Sequence, residues 1–223
     1  MQGKIALEEH FAVTETQNPV APKSLQADLL DFEAKRLEEM DLFGIEFAVL
    51  SLNAPAVQEV LDVEGAVALA QQTNDMLAEQ VARHPSRFAG LGALPLQDPD
   101  AAITELHRCV NDLGFVGVNV NGFSQKEEEY SHLYYDLPEY RPFWAEVEKL
   151  GVPFYMHPRN PLTDHMPMYD GHPWLTYATW AFAMETSVHA LRLMCSGLFD
   201  EHPDLQLILG HLGERIPFDL WRL

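Results

Sequence analysis

Basic residues are scarce: 14 lysines and arginines stand against 34 aspartates and glutamates, a formal charge of −20 over 223 residues. Such a chain lacks the basic footprint that nucleic acid requires. It also has nothing to draw it to an anionic membrane surface. Cysteine is almost missing. Cys109 and Cys195 both fall in helix-like segments, which excludes a disulfide framework and reads as two free thiols in a reducing compartment. No apolar run approaches the ~18 residues of a membrane span. The opening residues turn charged by Glu8 and lack a signal-peptide pattern, so a cytoplasmic location is the default expectation. A field this negative repels an anionic substrate, so a local cation, a metal or an arginine, would have to bind one.

What is present is an alternation of short apolar runs with helical patterns, the mark of repeated βα units around a parallel sheet. Strands are expected at Lys4–Leu7, Glu46–Leu52, Arg87–Leu96, Phe115–Val120, Val152–Met156 and Leu205–Leu209. Helices are expected at Leu25–Leu42, Glu64–Arg83, Pro99–Leu113, Arg141–Leu150 and Ala183–Phe199, with Gly44, Gly114 and Gly151 as stop signals and a further helix starting at Glu214–Leu223. Residues 1–223 read as one domain without a linker. Six strands are legible, whereas a closed barrel needs eight and takes roughly 250 residues. Together with the stop at Leu223 inside a helical pattern, this makes the chain read as about six of eight units. Three long loops, Phe11–Ser24, Phe123–Leu137 and Pro158–Thr179, follow strand C-terminal ends, where parallel sheets place their sites.

The residues able to carry chemistry sit at those ends. Glu8 and His10 are two apart on a strand, so they face the same side and can converge on one ion. Carboxylate and imidazole donors suit Zn, Mn or Fe. The alternative is a polar strand end facing solvent. His157 ends an apolar strand and can share that metal, or cap backbone instead. Arg159 and Asn160 follow it and could bind an anion, orient a ligand or lie on the loop surface. In Gly210-His211-Leu212-Gly213-Glu214, His211 is placed for metal binding or acid–base work. Glu214 either orients His211 or is a first-turn carboxylate at a positive helix end. Gly210 and Gly213 permit close backbone approach. His84, His107, His189 and His202 take the ordinary reading of satisfied or boundary histidines. His165 and His172 lie in the fifth loop without a supporting motif. Trp174, Trp180 and Phe182 could wall an apolar pocket, though packing is their commoner use.

Three of these segments together carry a resemblance: Ala6-Leu7-Glu8-Glu9-His10-Phe11, Phe154-Tyr155-Met156-His157-Pro158-Arg159-Asn160-Pro161, and Gly210–Glu214 followed by Trp221-Arg222. They resemble the amidohydrolase-related decarboxylases, and within them the hydroxybenzoate decarboxylases. Ser51–Gln58, Leu94–Asp100 and Asn111–Gly117 add to the match, which is weakest at about Thr16–Leu29. The resemblance implies a (β/α)8 TIM barrel of the metal-dependent hydrolase type with one divalent ion, Zn2+ or Mn2+. It implies Glu8, His10 and His157 as metal ligands, His211 as the catalytic histidine supported by Glu214, and Arg222 and Asn160 toward the substrate. The activity implied is a reversible, non-oxidative decarboxylation of a small aromatic acid, 2,6-dihydroxybenzoate to resorcinol and CO2 or a close isomer, by a homo-oligomer, a dimer or tetramer. Two departures stand out. The family's strand-eight aspartate, its last metal ligand and proton donor, has no counterpart, and neither does its aromatic substrate contact among residues 14–30. The competing readings are a metal-dependent hydrolase of the same superfamily and an inactive truncated fragment.

Overall fold

A computed structural model describes residues 3–19 and 21–223. In chain order its elements begin with β1 (Lys4–Phe11), α1 (Lys23–Leu30), α2 (Lys35–Phe43), β2 (Ile45–Leu52), α3 (Val63–Arg83) and β3 (Phe88–Gly92). There follow α4 (Pro99–His107), β4 (Gly117–Asn121), β5 (Ser124–Lys126), β6 (Glu128–Leu133), α5 (Arg141–Leu150), β7 (Phe154–His157), α6 (Ala181–Cys195) and β8 (Leu207–Leu209). Six strands form one sheet in the order β1-β2-β3-β4-β7-β8, and every pair in it is parallel. The expected α/β architecture is therefore present. No helix among the described residues is long and apolar enough to cross a membrane.

Side-chain alternation builds the two sides of the sheet. On β2, Ala48, Leu50 and Leu52 point outward into a core shared with Ala66, Ala70 and Leu77 of α3. On β4 and β7, Val118, Val120, Phe154 and Met156 point outward against Phe143, Trp144 and Val147 of α5. Trp144 is fully buried and its indole Nε1 donates to the Tyr135 carbonyl at 2.8 Å, so its one polar atom is satisfied. The other set of residues faces inward. Toward the strand N-terminal ends it is apolar, with Val49, Leu91 and Tyr155 in one cluster against Phe47. Toward the C-terminal ends it turns polar, with Ser51, Asn119, Asn121 and His157 all buried. The sheet curls around this inner face: His211, just beyond β8 at one edge, reaches Glu8 on β1 at the other, Nε2 to Oε1 in 3.0 Å.

Several boundaries differ from the sequence expectation, each for a local reason. β1 continues to Phe11, so Glu8 and His10 lie inside the strand and not beyond it. The helix expected over Leu25–Leu42 is two helices, because the Asp31 carboxylate accepts from the backbone N–H groups of Ala34 (3.1 Å) and Arg36 (2.8 Å) and starts a second one. The expected strand Arg87–Leu96 stops at Gly92, where the Asn74 side chain takes the place of a strand partner: its Oδ1 accepts from Ala93 N at 2.8 Å. The helix expected through Leu113 ends regular winding at His107 and finishes as a π-helical turn, Arg108–Asp112. The loop Phe123–Leu137 contains the β5–β6 hairpin. The C-terminal helical expectation is met only by single turns at Ile216–Asp219 and Leu220–Arg222.

Asn74 also donates to the Ala93 carbonyl (2.9 Å) and to Glu105 of α4 (2.6 Å), tying α3, α4 and the sheet together in the buried interior. Replacing it leaves the buried Ala93 N–H and carbonyl without this partner, while Glu105 keeps its bonds from Arg108. Asn74→Ala is expected to lower unfolding free energy by about 1–3 kcal/mol, measured by urea denaturation.

Candidate metal centre

Four donor atoms converge at the C-terminal end of the sheet. His10 Nε2 and His157 Nε2 are 3.0 Å apart. Glu8 Oε1 lies 3.7 Å from each of them and 3.0 Å from His211 Nε2. A register irregularity between Ala6 and Glu9 accompanies the turn of Glu8 inward, as bulges beside sites commonly re-aim a side chain. His157 arrives by the alternation that sends Met156 outward.

Surrounding groups fix three of these side chains, Glu8, His10 and His211, while His157 Nδ1 is buried without a hydrogen-bond partner. Ser51 Oγ is 3.0 Å from His10 Nδ1, leaving Nε2 to face the centre. Tyr155 donates its phenolic proton to Glu8 Oε2. Burial alone would raise the Glu8 carboxyl, but the His10 and Tyr155 side chains and the neighbouring His157 and His211 outweigh it and hold the pKa at about 2. Burial and the adjacent His10 push His157 down to about 3, so its ring is neutral. Both groups are thus in the states that ligate a cation at neutral pH.

His211 has a different setting. Its Nδ1 is 2.7 Å from Glu214 Oε1. Burial disfavours its charged form, but Glu214 and Glu8 outweigh that and raise its pKa. The turn that presents it is strained: His211, Leu212 and Glu214 all have positive φ, at 46°, 61° and 53°, a conformation costing non-glycine residues of order 1–3 kcal/mol each. Glu214 therefore belongs to this turn and not to the first turn of a helix. Gly210 makes the approach possible, since a Cβ there would stand 3.0 Å from Glu8 Oε2 and 3.1 Å from the Tyr155 hydroxyl.

The donors fit a divalent ion. Bonds of 2.0–2.2 Å to carboxylate and imidazole place neighbouring donors roughly 3.0–3.5 Å apart, close to the separations found. Glu8, His157 and His211 donor atoms also lie within 4.8 Å of one another, and His10 Nε2 adjoins that group through His157 and Glu8. His132, Asp164 and His165 form a second close group. There the imidazoles are stacked face to face at 4.0 Å and 12°, and the in-plane lone pairs of parallel rings do not meet at one ion.

The remaining expected residues lie elsewhere. Asn160 Oδ1 accepts from Tyr177 N at 2.7 Å and anchors the long segment after β7. Arg159 is buried and committed, donating to the carbonyls of Phe123 (3.0 Å) and Gln58 (3.3 Å) and to Gln125 Oε1 (2.7 Å). Arg222 is exposed in the terminal turn and makes no hydrogen bond or ion pair with the cluster among the described residues. His107 pairs with Glu146 (2.8 Å), and His189 Nε2 accepts from Tyr135 N (3.1 Å) while its buried Nδ1 has no partner. Sequence reasoning missed Tyr155 and Ser51. Both were within reach of the period-two pattern that picked out His157: Tyr155 is two residues before it, and Ser51 continues the inward row Phe47, Val49.

The amidohydrolase family profile matches residues 12–218. The gamma-resorcylate decarboxylase of Rhizobium sp. (strain MTP-10005) is 61% identical over 230 aligned positions, covering 100% of this chain and 70% of that protein. The crystal structure of 2,6-dihydroxybenzoate decarboxylase from Rhizobium superposes with a TM-score of 0.97 at 63% identity, over 100% of this chain and 70% of the other. That of the dihydroxybenzoic acid decarboxylase from Polaromonas sp. JS666, with bound manganese and the inhibitor 2-nitroresorcinol, superposes at 0.96 with 55% identity, over 100% and 69%. The chain spans about 70% of the length of the relatives it matches. With the family profile over most of its length and the sheet of these decarboxylases around the Glu8–His10–His157 cluster, the chain belongs to the amidohydrolase family.

Proposed function

We propose that this chain catalyses the reversible, non-oxidative decarboxylation of 2,6-dihydroxybenzoate to resorcinol and CO2, with Glu8, His10 and His157 holding one divalent cation. The observation that carries this reading is the convergence of those three side chains with His211 at the strand C-terminal ends, in a chain 61% identical to a gamma-resorcylate decarboxylase. A divalent cation held by these residues, manganese being the ion in the Polaromonas relative, would supply the local positive charge that an anionic substrate needs. This answers the electrostatic problem of an anion approaching a chain of charge −20.

The chain's own groups divide the work. Glu8 stays ionised and His157 neutral, as ligands must be. His211 takes the proton-handling role, because Glu214 and Glu8 favour its protonated form and it stands beside the ligands at 3.0 Å from Glu8. In the reaction the ring carbon bearing the carboxylate gains a proton, the bond to the carboxylate breaks, and its electron pair restores the aromatic ring as CO2 leaves. An ortho hydroxyl is needed to make that carbon basic enough. The buried Cys109 and the exposed Cys195 are both free, which supports a cytoplasmic location.

Resorcinol and CO2 are expected from 2,6-dihydroxybenzoate and none from benzoate, with activity lost on chelation and restored by Mn2+. Hydrolysis of a lactone or amide without CO2 release would overturn the reading in favour of a hydrolase. Glu214→Gln is expected to lower the His211 pKa, since it removes a carboxylate that favours the imidazolium; NMR titration of the metal-free protein reads it, and an unchanged pKa would contradict the pairing.

A further inference from the structure

Arg36 lies on α2, outside the sheet, with its side chain only 12% exposed. Its Nη2 donates to the backbone carbonyl of His10 at 2.7 Å. Its Nε donates to the Asp31 carbonyl at 2.9 Å, and its Nη1 is 3.7 Å from Glu9 Oε2. Successive carbonyls of a strand point to opposite edges. The Phe11 carbonyl accepts from Asn53 N at 2.9 Å, just past β2, so the His10 carbonyl points to the edge of β1 away from β2. The β1–β2 ladder is irregular between Ala6 and Glu9, immediately before His10. Regular pairing resumes at Glu9 with Leu50, His10 with Ser51 and Phe11 with Leu52, and on the other edge of β1, the outermost strand of the sheet, a charged donor, stronger than a neutral one, grips the His10 carbonyl.

We propose that Arg36 is a positioning residue of the metal centre. It fixes the His10 peptide and thereby the direction of the His10 imidazole, although no atom of Arg36 reaches the converging donors. This rests on the reading of Glu8, His10 and His157 as metal ligands. Arg36 is itself held from behind by Asp31, whose carboxylate accepts from its backbone N–H, so α2 and the strand end move as one body. Arg87 provides an internal comparison. It makes the same kind of clamp, to the carbonyls of Glu46 (3.0 Å) and Ile45 (3.2 Å) with an ion pair to Asp41, but at the opposite end of the sheet.

The test is Mn2+ affinity by isothermal titration calorimetry on wild type, Arg36→Met, Arg36→Lys and Arg87→Met, with the unfolding midpoint of each metal-free protein measured alongside. Arg36→Met is expected to weaken Mn2+ binding by about 10–100-fold, the usual consequence of losing an outer partner of a ligand. Arg87→Met should leave affinity within about twofold at a comparable loss of stability, and Arg36→Lys should recover part of the binding. Unchanged affinity in Arg36→Met, or an equal loss in Arg87→Met, would overturn the proposal while leaving the metal reading intact. If Arg36→Met does not fold, Arg36→Lys decides: weaker Mn2+ binding at an unchanged midpoint supports the proposal, and wild-type affinity overturns it. A wild type that binds no Mn2+ overturns the metal reading and this proposal with it.

Discussion

Two imidazole nitrogens facing each other at 3.0 Å, with a carboxylate oxygen 3.7 Å from both, make an arrangement that protons alone serve poorly. One proton can join the two nitrogens as an N–H···N bond, but neither imidazole then satisfies the Glu8 oxygen that stands 3.7 Å from both. A divalent cation satisfies all three at once, which is the physical reason the ligand reading is economical. The rest of the architecture serves to hold these groups in place. Each strand keeps its outward residues in the helix-packed core, and the inward row changes from apolar to polar along the strand. Polarity on the inner face is thereby confined to the end where the loops can cover a substrate.

Holding the cluster requires strain and close packing nearby. The left-handed turn at His211–Leu212 and the positive φ of Glu214 are unfavourable for non-glycine residues. They persist because the turn brings Nε2 of His211 to Glu8 and Nδ1 to Glu214 together. Gly210 removes the one Cβ that would obstruct Glu8 and Tyr155. His157 and His211 are chemically the same side chain tuned in opposite directions. Burial without a hydrogen-bonded carboxylate makes one a neutral ligand, and two carboxylates make the other a proton carrier.

Much of this was legible in the sequence because it depends on short-range periodicity. Glu8 and His10 are i and i+2 on a strand, His157 ends an apolar run, and His211 follows one between glycines. The parallel sheet was legible from the alternation of strands and helices. What depends on tertiary placement was not. The split between α1 and α2 depends on the Asp31 carboxylate folding back onto two backbone N–H groups, and the early end of β3 on Asn74 arriving from α3. Arg36 looked like one more charge on a helical pattern, since nothing local says that its guanidinium reaches a carbonyl 26 residues earlier. Arg159 illustrates the reverse. It follows a site histidine and invites an anion-binding role, yet its guanidinium is committed to two backbone carbonyls and Gln125.

The central claim, one divalent ion held by Glu8, His10 and His157, is tested most directly by counting Mn2+ bound per chain with electron paramagnetic resonance in wild type and in His157→Ala. The account predicts one tightly bound ion in the wild type and loss of that ion in the variant, with the variant still folded. A wild type without bound Mn2+, or a His157→Ala protein that retains one ion at wild-type affinity, would contradict it.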